Sequence, residues 1–153
     1  MQLSDLPRNA DYFIPHRAPM LLVDEWVEMK DNGCVAKVKI HPDMPFIEDA
    51  GLPSWVGIEI MAQTIAIYAG IQQRLKGEQP KLGFLLGSKK FEMAQTHFAI
   101  DEELMIEIKL QFLNRHQIGM FDCHIDTVQG RSEATILVAQ PEDVSSVLPI
   151  KQC

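Results

Sequence analysis

Residues 54–77 read SWVGIEIMAQTIAIYAGIQQRLKG, and this stretch decides the fold. Its apolar residues recur on nearly every side of the helical repeat, which predicts one long helix buried on most of its surface. Ser54 suits the N-terminal cap of such a helix, and Gly77 suits its C-terminal stop. We therefore expect a sheet that wraps this helix, with a second copy of the chain covering what the sheet leaves exposed.

Extended stretches flank the predicted helix on both sides. Two precede it, residues 20–29 and 34–40, and the turn sequence Asp31-Asn32-Gly33 between them predicts a hairpin. Four follow it, at residues 81–91, 103–113, 118–128 and 132–139. In 103–113 the apolar residues Leu104, Ile106, Ile108, Leu110 and Phe112 share one face, as in a strand. The order predicts an α+β hotdog fold, a curled antiparallel sheet of about six strands around one central helix.

The size and charge of the chain narrow the classes of function. Its 153 residues, 17.3 kDa, predict a single domain over 1–153. The net charge of −7 argues against a nucleic-acid partner, because phosphate binding needs clustered positive charge. Runs of about 18 apolar residues are absent, and the start MQLSDLPRNADYF does not resemble a signal peptide. We expect a cytoplasmic protein without a membrane partner.

The three cysteines, Cys34, Cys123 and Cys153, are odd in number and show no Cys-x-x-Cys spacing. This argues against a disulfide framework and against a structural zinc site. An isolated His-x-Asp pair at His124 is weak evidence for a metal. We expect packed thiols and no bound metal.

Glu59 is the most informative residue, because a carboxylate in so apolar a helix is costly to leave ionised and unpaired. Gln63 lies one turn further along the same face. One interpretation is a polar stripe that faces water. The apolar neighbours favour the other, an inward carboxylic acid whose pKa is raised by burial and which acts as a general acid.

A base is needed beside such an acid, and histidine is the commonest choice. His97, His116 and His124 lie in polar surroundings typical of the surface. His41 begins a proline-rich loop before the helix. His16 lies between Pro15 and Pro19, which restrict its backbone and suit a fixed imidazole.

Three segments carry a resemblance to a known family. They are IPHRAPMLLVDEW at 14–26, GIEIMAQ at 57–63 and FAIDEELMIEIKLQFL at 98–113. Together they resemble the hotdog 3-hydroxyacyl-acyl carrier protein dehydratases of the FabZ type, and in particular the ApeP-like branch associated with aryl-polyene and related unusual fatty acid clusters. The resemblance spans nearly the whole chain.

The chain departs from the FabZ pattern at the catalytic histidine. That family carries it in a GHFPG segment before the helix, whereas the equivalent residues 46–53 here contain no histidine. The Pro-Gly at the helix start is replaced by Pro53-Ser54. The resemblance then makes His16 the best substitute and His41 the second.

The resemblance implies a dehydration that needs no cofactor. His16 would take the C2 proton of the substrate and Glu59 would protonate the leaving C3 hydroxyl, with Gln63 orienting the carboxylate. Backbone N–H groups at the helix start would bind the thioester oxygen. Those substrate-binding residues are Ser54, Trp55 and Gly57. An apolar tunnel for the acyl chain would be lined by Met20, Phe46, Trp55 and Phe84.

The implied partners are an acyl carrier protein and a second hotdog subunit, either a copy of this chain or a homologue. A carrier protein is acidic and would contact a basic patch, for which the candidates are Arg74, Lys81, Lys89 and Lys90. Two alternatives stay open. One is an acyl thioesterase whose helix carboxylate activates water, and the other is a weakly active subunit that supports an active dehydratase partner.

Overall fold

The computed structural model describes residues 1–79 and 83–139. One long helix and eight strands make up the fold in this part of the chain. In chain order they are β1 Glu25–Lys30, β2 Gly33–Lys39, β3 Leu52–Pro53, α1 Gly57–Leu75, β4 Phe84–Glu92, β5 His97–Phe98, β6 Glu103–Leu113, β7 Ile118–Thr127 and β8 Gly130–Ala139. Short 3-10 turns occur at Leu3–Asp5, Ala10–Tyr12 and Ser54–Val56.

Six strands form one antiparallel sheet in the order β1-β2-β6-β7-β8-β4. The two-residue strands β3 and β5 pair separately. The hairpin predicted around Asp31-Asn32-Gly33 is present as β1–β2, and β7 and β8 form a second hairpin whose turn ends at Gly130. The sheet curls around α1, so the predicted hotdog fold is confirmed.

The helix is the centre of the hydrophobic core. Ile60, Met61, Ile67 and Ile71 are fully buried against the sheet. By length and composition alone Ser54–Leu75 could span a membrane, but 61% of its most apolar window is buried inside the fold, as in the core helix of a soluble domain. Gly77 adopts φ 78° just beyond the helix, which confirms it as the stop.

Two strand predictions were wrong in part. β1 begins at Glu25 rather than at Met20, because the backbone N–H groups of Leu22 and Val23 bond to a helix side chain instead of a neighbouring strand. Phe112 was expected to lie on the same face of β6 as Leu110. A bulge separates these two residues, and Phe112 is 56% exposed.

The cysteine prediction holds for the two described thiols. Cys34 and Cys123 are free and buried, as packed thiols should be. Cys153 lies outside the described residues.

Candidate active site

A groove of about 220 Å³ runs between α1 and one end of the sheet. Its mostly apolar strand wall comes from Phe84 and Leu85, Leu110 and Leu113, Gly119 and Phe121, and Val138 and Ala139. Its helix wall is formed by Glu59, Ala62, Gln63, Ile65, Ala66, Tyr68, Ala69 and Gln72, and Pro15 and His16 complete it. A largely apolar groove with a few polar side chains is the usual form of a site for a small molecule.

His16 and Glu59 are brought together in this groove, although 43 positions separate them in the sequence. His16 Nε2 lies 3.8 Å from Glu59 Oε1, which is too far for a hydrogen bond between the two side chains. Both nitrogen and oxygen are therefore available to atoms of a bound molecule. The side chains are 29% and 33% exposed, so the prediction that Glu59 is deeply buried was wrong for the single chain.

The backbone around His16 is fixed by its neighbour in the sequence. Arg17 Nη1 donates to the carbonyl oxygens of Ile14 at 2.8 Å and of His16 at 2.6 Å. His16 Nδ1 is buried and has no hydrogen-bond partner among the residues that the structure describes. A group that would orient the His16 ring by bonding to Nδ1 is therefore not supplied by the described residues.

Gln63 is 1% exposed and has a role different from the one predicted. Its Oε1 accepts hydrogen bonds from the N–H groups of Leu22 at 2.9 Å and Val23 at 3.4 Å, and its Nε2 donates to the carbonyl of Met20 at 2.7 Å. Both the oxygen and the nitrogen of the Gln63 side-chain amide are thus hydrogen-bonded to backbone groups. Gln63 therefore does not orient Glu59, and instead attaches residues 20–23 to the helix.

The predicted thioester-oxygen site at the helix start lies away from the groove. The Ser54 N–H donates to the Thr96 carbonyl at 2.9 Å, and the Gly57 N–H donates to the Ser54 carbonyl. Gly57 packs inward, since a Cβ there would lie 3.2 Å from Ile125 Cδ1. The N–H groups of Ser54 and Gly57 are thus already used inside the fold, which corrects the prediction for these two residues.

Trp55 is 56% exposed and also lies outside the groove. Its ring contacts that of Phe46, with centroids 5.3 Å apart, and Phe46 adopts φ 68° and is 50% exposed. Of the four predicted tunnel residues only Phe84 lines the groove, because Met20 is also exposed outside it. The alanines of the helix wall were missed, although their spacing in the sequence places them on the face of Glu59.

The other histidines lie elsewhere. His41 is exposed, and His116 lies in the exposed β6–β7 turn. His97 Nε2 is 2.8 Å from Glu48 Oε1, and His124 Nε2 is 3.5 Å from Asp126 Oδ2. Among the described residues, no three side chains of metal-binding type are grouped so as to hold an ion.

The predicted basic patch is dispersed over different elements. Lys89 and Lys90 lie exposed on the edge strand β4. Arg74, in the last turn of α1, donates to the Tyr12 carbonyl at 3.0 Å and lies over the Tyr12 ring. Lys81 lies outside the described residues, so the docking surface for a carrier protein stays a prediction.

Sequence comparison relates the chain to a family of dehydratases. The sequence profile of an ApeP-like family, described as ApeP dehydratase, matches residues 8–149. The 3-hydroxyacyl-[acyl-carrier-protein] dehydratase FabZ of Psychrobacter arcticus is 27% identical over 139 residues, covering 86% of this chain and 93% of that protein.

Comparison of structures also finds a dehydratase. The dehydratase heterocomplex ApeI:P from Xenorhabdus doucetiae contains a chain that matches with a TM-score of 0.85 at 26% identity, over 95% of this chain and 99% of that one. A hypothetical thioesterase of Streptococcus pneumoniae, solved with coenzyme A, matches with a TM-score of 0.57 at 17% identity, over 77% of this chain and 88% of that one. The second likeness concerns the fold alone.

Proposed function

This chain belongs to the family of ApeP-like dehydratases, and we propose that it removes water from a 3-hydroxyacyl thioester held on an acyl carrier protein. The product is the trans-2-enoyl thioester, in fatty acid or aryl-polyene-type biosynthesis. The observation that carries the proposal is the pair His16 and Glu59, 3.8 Å apart in an apolar groove. A base and an acid so placed reach substituents on adjacent carbons of one substrate.

The chemistry follows from the two side chains. Neutral His16 takes the C2 proton through Nε2, and protonated Glu59 gives its proton to the C3 hydroxyl. The electron pair of the C2–H bond forms the C2–C3 double bond, and the C3–O bond breaks to release water. The thioester itself acidifies the C2 proton. Return of a proton from the imidazolium to the carboxylate, directly or through water, resets the site.

The groove accommodates the acyl chain in this proposal. Its strand wall presents Phe84, Leu110, Leu113, Phe121 and Val138, so an alkyl or unsaturated chain loses contact with water there. The acidic carrier protein remains outside the groove. Lys89 and Lys90 on β4 are exposed basic residues suited to its surface.

We also propose that the working enzyme is an assembly of this chain with a second hotdog chain, either identical or homologous. His16 Nδ1 lacks a partner among the described residues, and a third of the Glu59 side chain is exposed. The exposed Phe46–Trp55 pair adds apolar surface beside the helix start. The similar X. doucetiae protein is described as a heterocomplex, which favours a homologous partner.

Intact-mass analysis of a carrier protein loaded with a 3-hydroxyacyl group tests the function. We expect the loss of one water from the acyl group, and a rate lowered by about 10²- to 10⁴-fold in both Glu59→Gln and His16→Ala. His116→Ala, in an exposed turn, is the matched histidine control and should retain full activity.

Other outcomes identify the alternatives. Release of the free carrier thiol would mean a thioesterase and would overturn the dehydratase proposal. Dehydration that requires an added homologous chain, and that still depends on Glu59, would establish a heteromeric enzyme. Dehydration that survives His16→Ala would remove His16 as the base.

A further inference from the structure

We propose that Ala66, Ala69 and Tyr68 determine the longest acyl chain that the enzyme accepts. The inference rests on the proposed function, because it takes the groove as the site of the acyl chain. It assigns a specificity role to helix residues that lie beyond the catalytic pair.

The first observation is the pattern of burial along α1. Most of the helix is buried, but Glu59, Ala62, Ala66 and Ala69 are only half-buried, and all four line the groove. Positions three and four apart lie on one face of a helix. The groove therefore continues from the catalytic carboxylate along a row of methyl groups, and the small side chains leave the space open.

The second observation is how far each alanine lies from Glu59 along the helix axis. A helix rises about 1.5 Å per residue, so Ala66 lies about 10 Å and Ala69 about 15 Å along the axis from Glu59. Each alanine borders a different depth of the groove. A larger side chain at either position would block the groove at that depth and leave the catalytic end unchanged.

The third observation is an aromatic wall beside Ala69, formed by Tyr68. Tyr68 is 5% exposed, and its hydroxyl accepts a hydrogen bond from Gln72 Nε2 at 3.1 Å. Its ring meets that of Phe121 edge to face, with centroids 6.2 Å apart. These two contacts orient the Tyr68 ring, which also lines the groove and occupies space that a longer chain would need.

The test measures kcat/KM for a series of 3-hydroxyacyl-carrier thioesters of increasing chain length. We expect Ala69→Leu to lower kcat/KM at least tenfold for the longest accepted chains and to leave the shortest unchanged. Ala66→Leu should move the limit to shorter chains. Tyr68→Val, which removes the wall, should extend it. Ala50→Leu, at an exposed loop position, is the matched control for the added leucine.

The outcomes separate this inference from the function on which it rests. An equal loss at every chain length would place the carrier arm in the groove instead of the acyl tail, and would overturn the inference, as would no change in either alanine variant. If the wild-type protein does not dehydrate, binding of 3-hydroxyacyl pantetheine amides of the same lengths gives the same comparison. If the longest amide that binds is shorter for the alanine variants than for the wild type, the groove assignment is supported even though the dehydratase proposal fails.

Discussion

The Gln63 side chain accepts a hydrogen bond from the Leu22 N–H at 2.9 Å, across a sequence separation of 41 residues. The helix that presents Glu59 thereby also holds the segment that follows His16. A buried amide bonded on both sides tolerates little displacement of that segment. We therefore expect the distance between His16 and Glu59 to depend on Gln63, whose side chain bonds to residues 20–23 and to the side chain of neither one.

Gln63→Leu is expected to destabilise the protein and to lower activity. The substitution leaves the Leu22 N–H and the Met20 carbonyl without their partner, which costs about 1–3 kcal/mol for each buried group that stays unsatisfied. Chemical denaturation should show a lower midpoint. The folded variant should have a reduced kcat, because His16 is no longer held at its distance from Glu59.

Gln129→Ala is the control for this comparison, since its side chain is exposed in the β7–β8 turn. It should leave both the midpoint and kcat unchanged. A Gln63→Leu protein with full kcat would show that residues 20–23 do not position His16.

Gly70→Ala is expected to destabilise the protein, against the usual preference of helices for alanine. A Cβ at Gly70 would lie 2.3 Å from the carbonyl oxygen of Phe13, which is backbone and cannot move aside alone. Overpacking of this kind costs about 1–3 kcal/mol. Gly87→Ala on the edge strand β4 meets nothing within 4 Å and should change the free energy of unfolding by less than about 0.5 kcal/mol. Equal midpoints for the two variants would contradict the close packing at Gly70.

The two buried thiols should be unreactive in the folded protein and should destabilise it in alkali. Burial raises the pKa of Cys34 to about 12 and also raises the pKa of Cys123. Unfolded thiols ionise from about pH 8.5, so above that pH the unfolded chain loses protons that the folded chain keeps. The free energy of unfolding should therefore fall as the pH rises from about 9 towards 12.

The measurement uses a Cys153→Ser background and a chromogenic disulfide reagent. Both remaining thiols should react rapidly in denaturant and slowly in buffer. A Cys34→Ala/Cys123→Ala variant should show a weaker alkaline loss of stability. Rapid reaction of either thiol in buffer would contradict its burial.

The two tryptophans should report different environments. Trp26 is 3% exposed and donates through Nε1 to the Pro7 carbonyl at 2.8 Å, whereas Trp55 is 56% exposed. Fluorescence of Trp55→Phe should be blue-shifted and resist acrylamide, and that of Trp26→Phe should be red-shifted and readily quenched. Formation of the proposed assembly should shift the Trp26→Phe emission to the blue. An unshifted emission in a proven assembly would show that the interface leaves Trp55 uncovered.

The pattern of apolar residues predicted an element well where those residues recur with one period along its whole length. The alternation in β6 located that strand at Glu103–Leu113, as the structure has it. It failed at Phe112, because a bulge is a feature of how two strands pair and leaves no mark in the period of either one. It failed again ahead of β1, where the N–H groups of Leu22 and Val23 bond to the side chain of Gln63, about 40 positions away in the sequence.

The proposed catalytic pair, His16 and Glu59, and its surroundings were predictable to different degrees. The apolar pattern of the helix singled out Glu59. His16 was favoured over His41 by the prolines on either side of it and by the resemblance of IPHRAPM to a family motif. The oxygen-binding role expected of Ser54 and Gly57 depended on free N–H groups. Whether such groups are free is decided by tertiary partners, here the carbonyls of Thr96 and Ser54, which sequence does not reveal.

The strand order β1-β2-β6-β7-β8-β4 has a consequence for how the molecule folds. Strands β6, β7 and β8 are neighbours in sequence and pair through short turns. In contrast, β2 must find β6 across the helix, and β4 must find β8 across the three strands that lie between them in sequence. Loop-closure entropy favours the local meander first. We expect mutations in the β7–β8 hairpin to slow folding and Gln63→Leu to speed unfolding instead. The sheet would then form before the proposed active site, and His16 would dock beside Glu59 in the final step of folding.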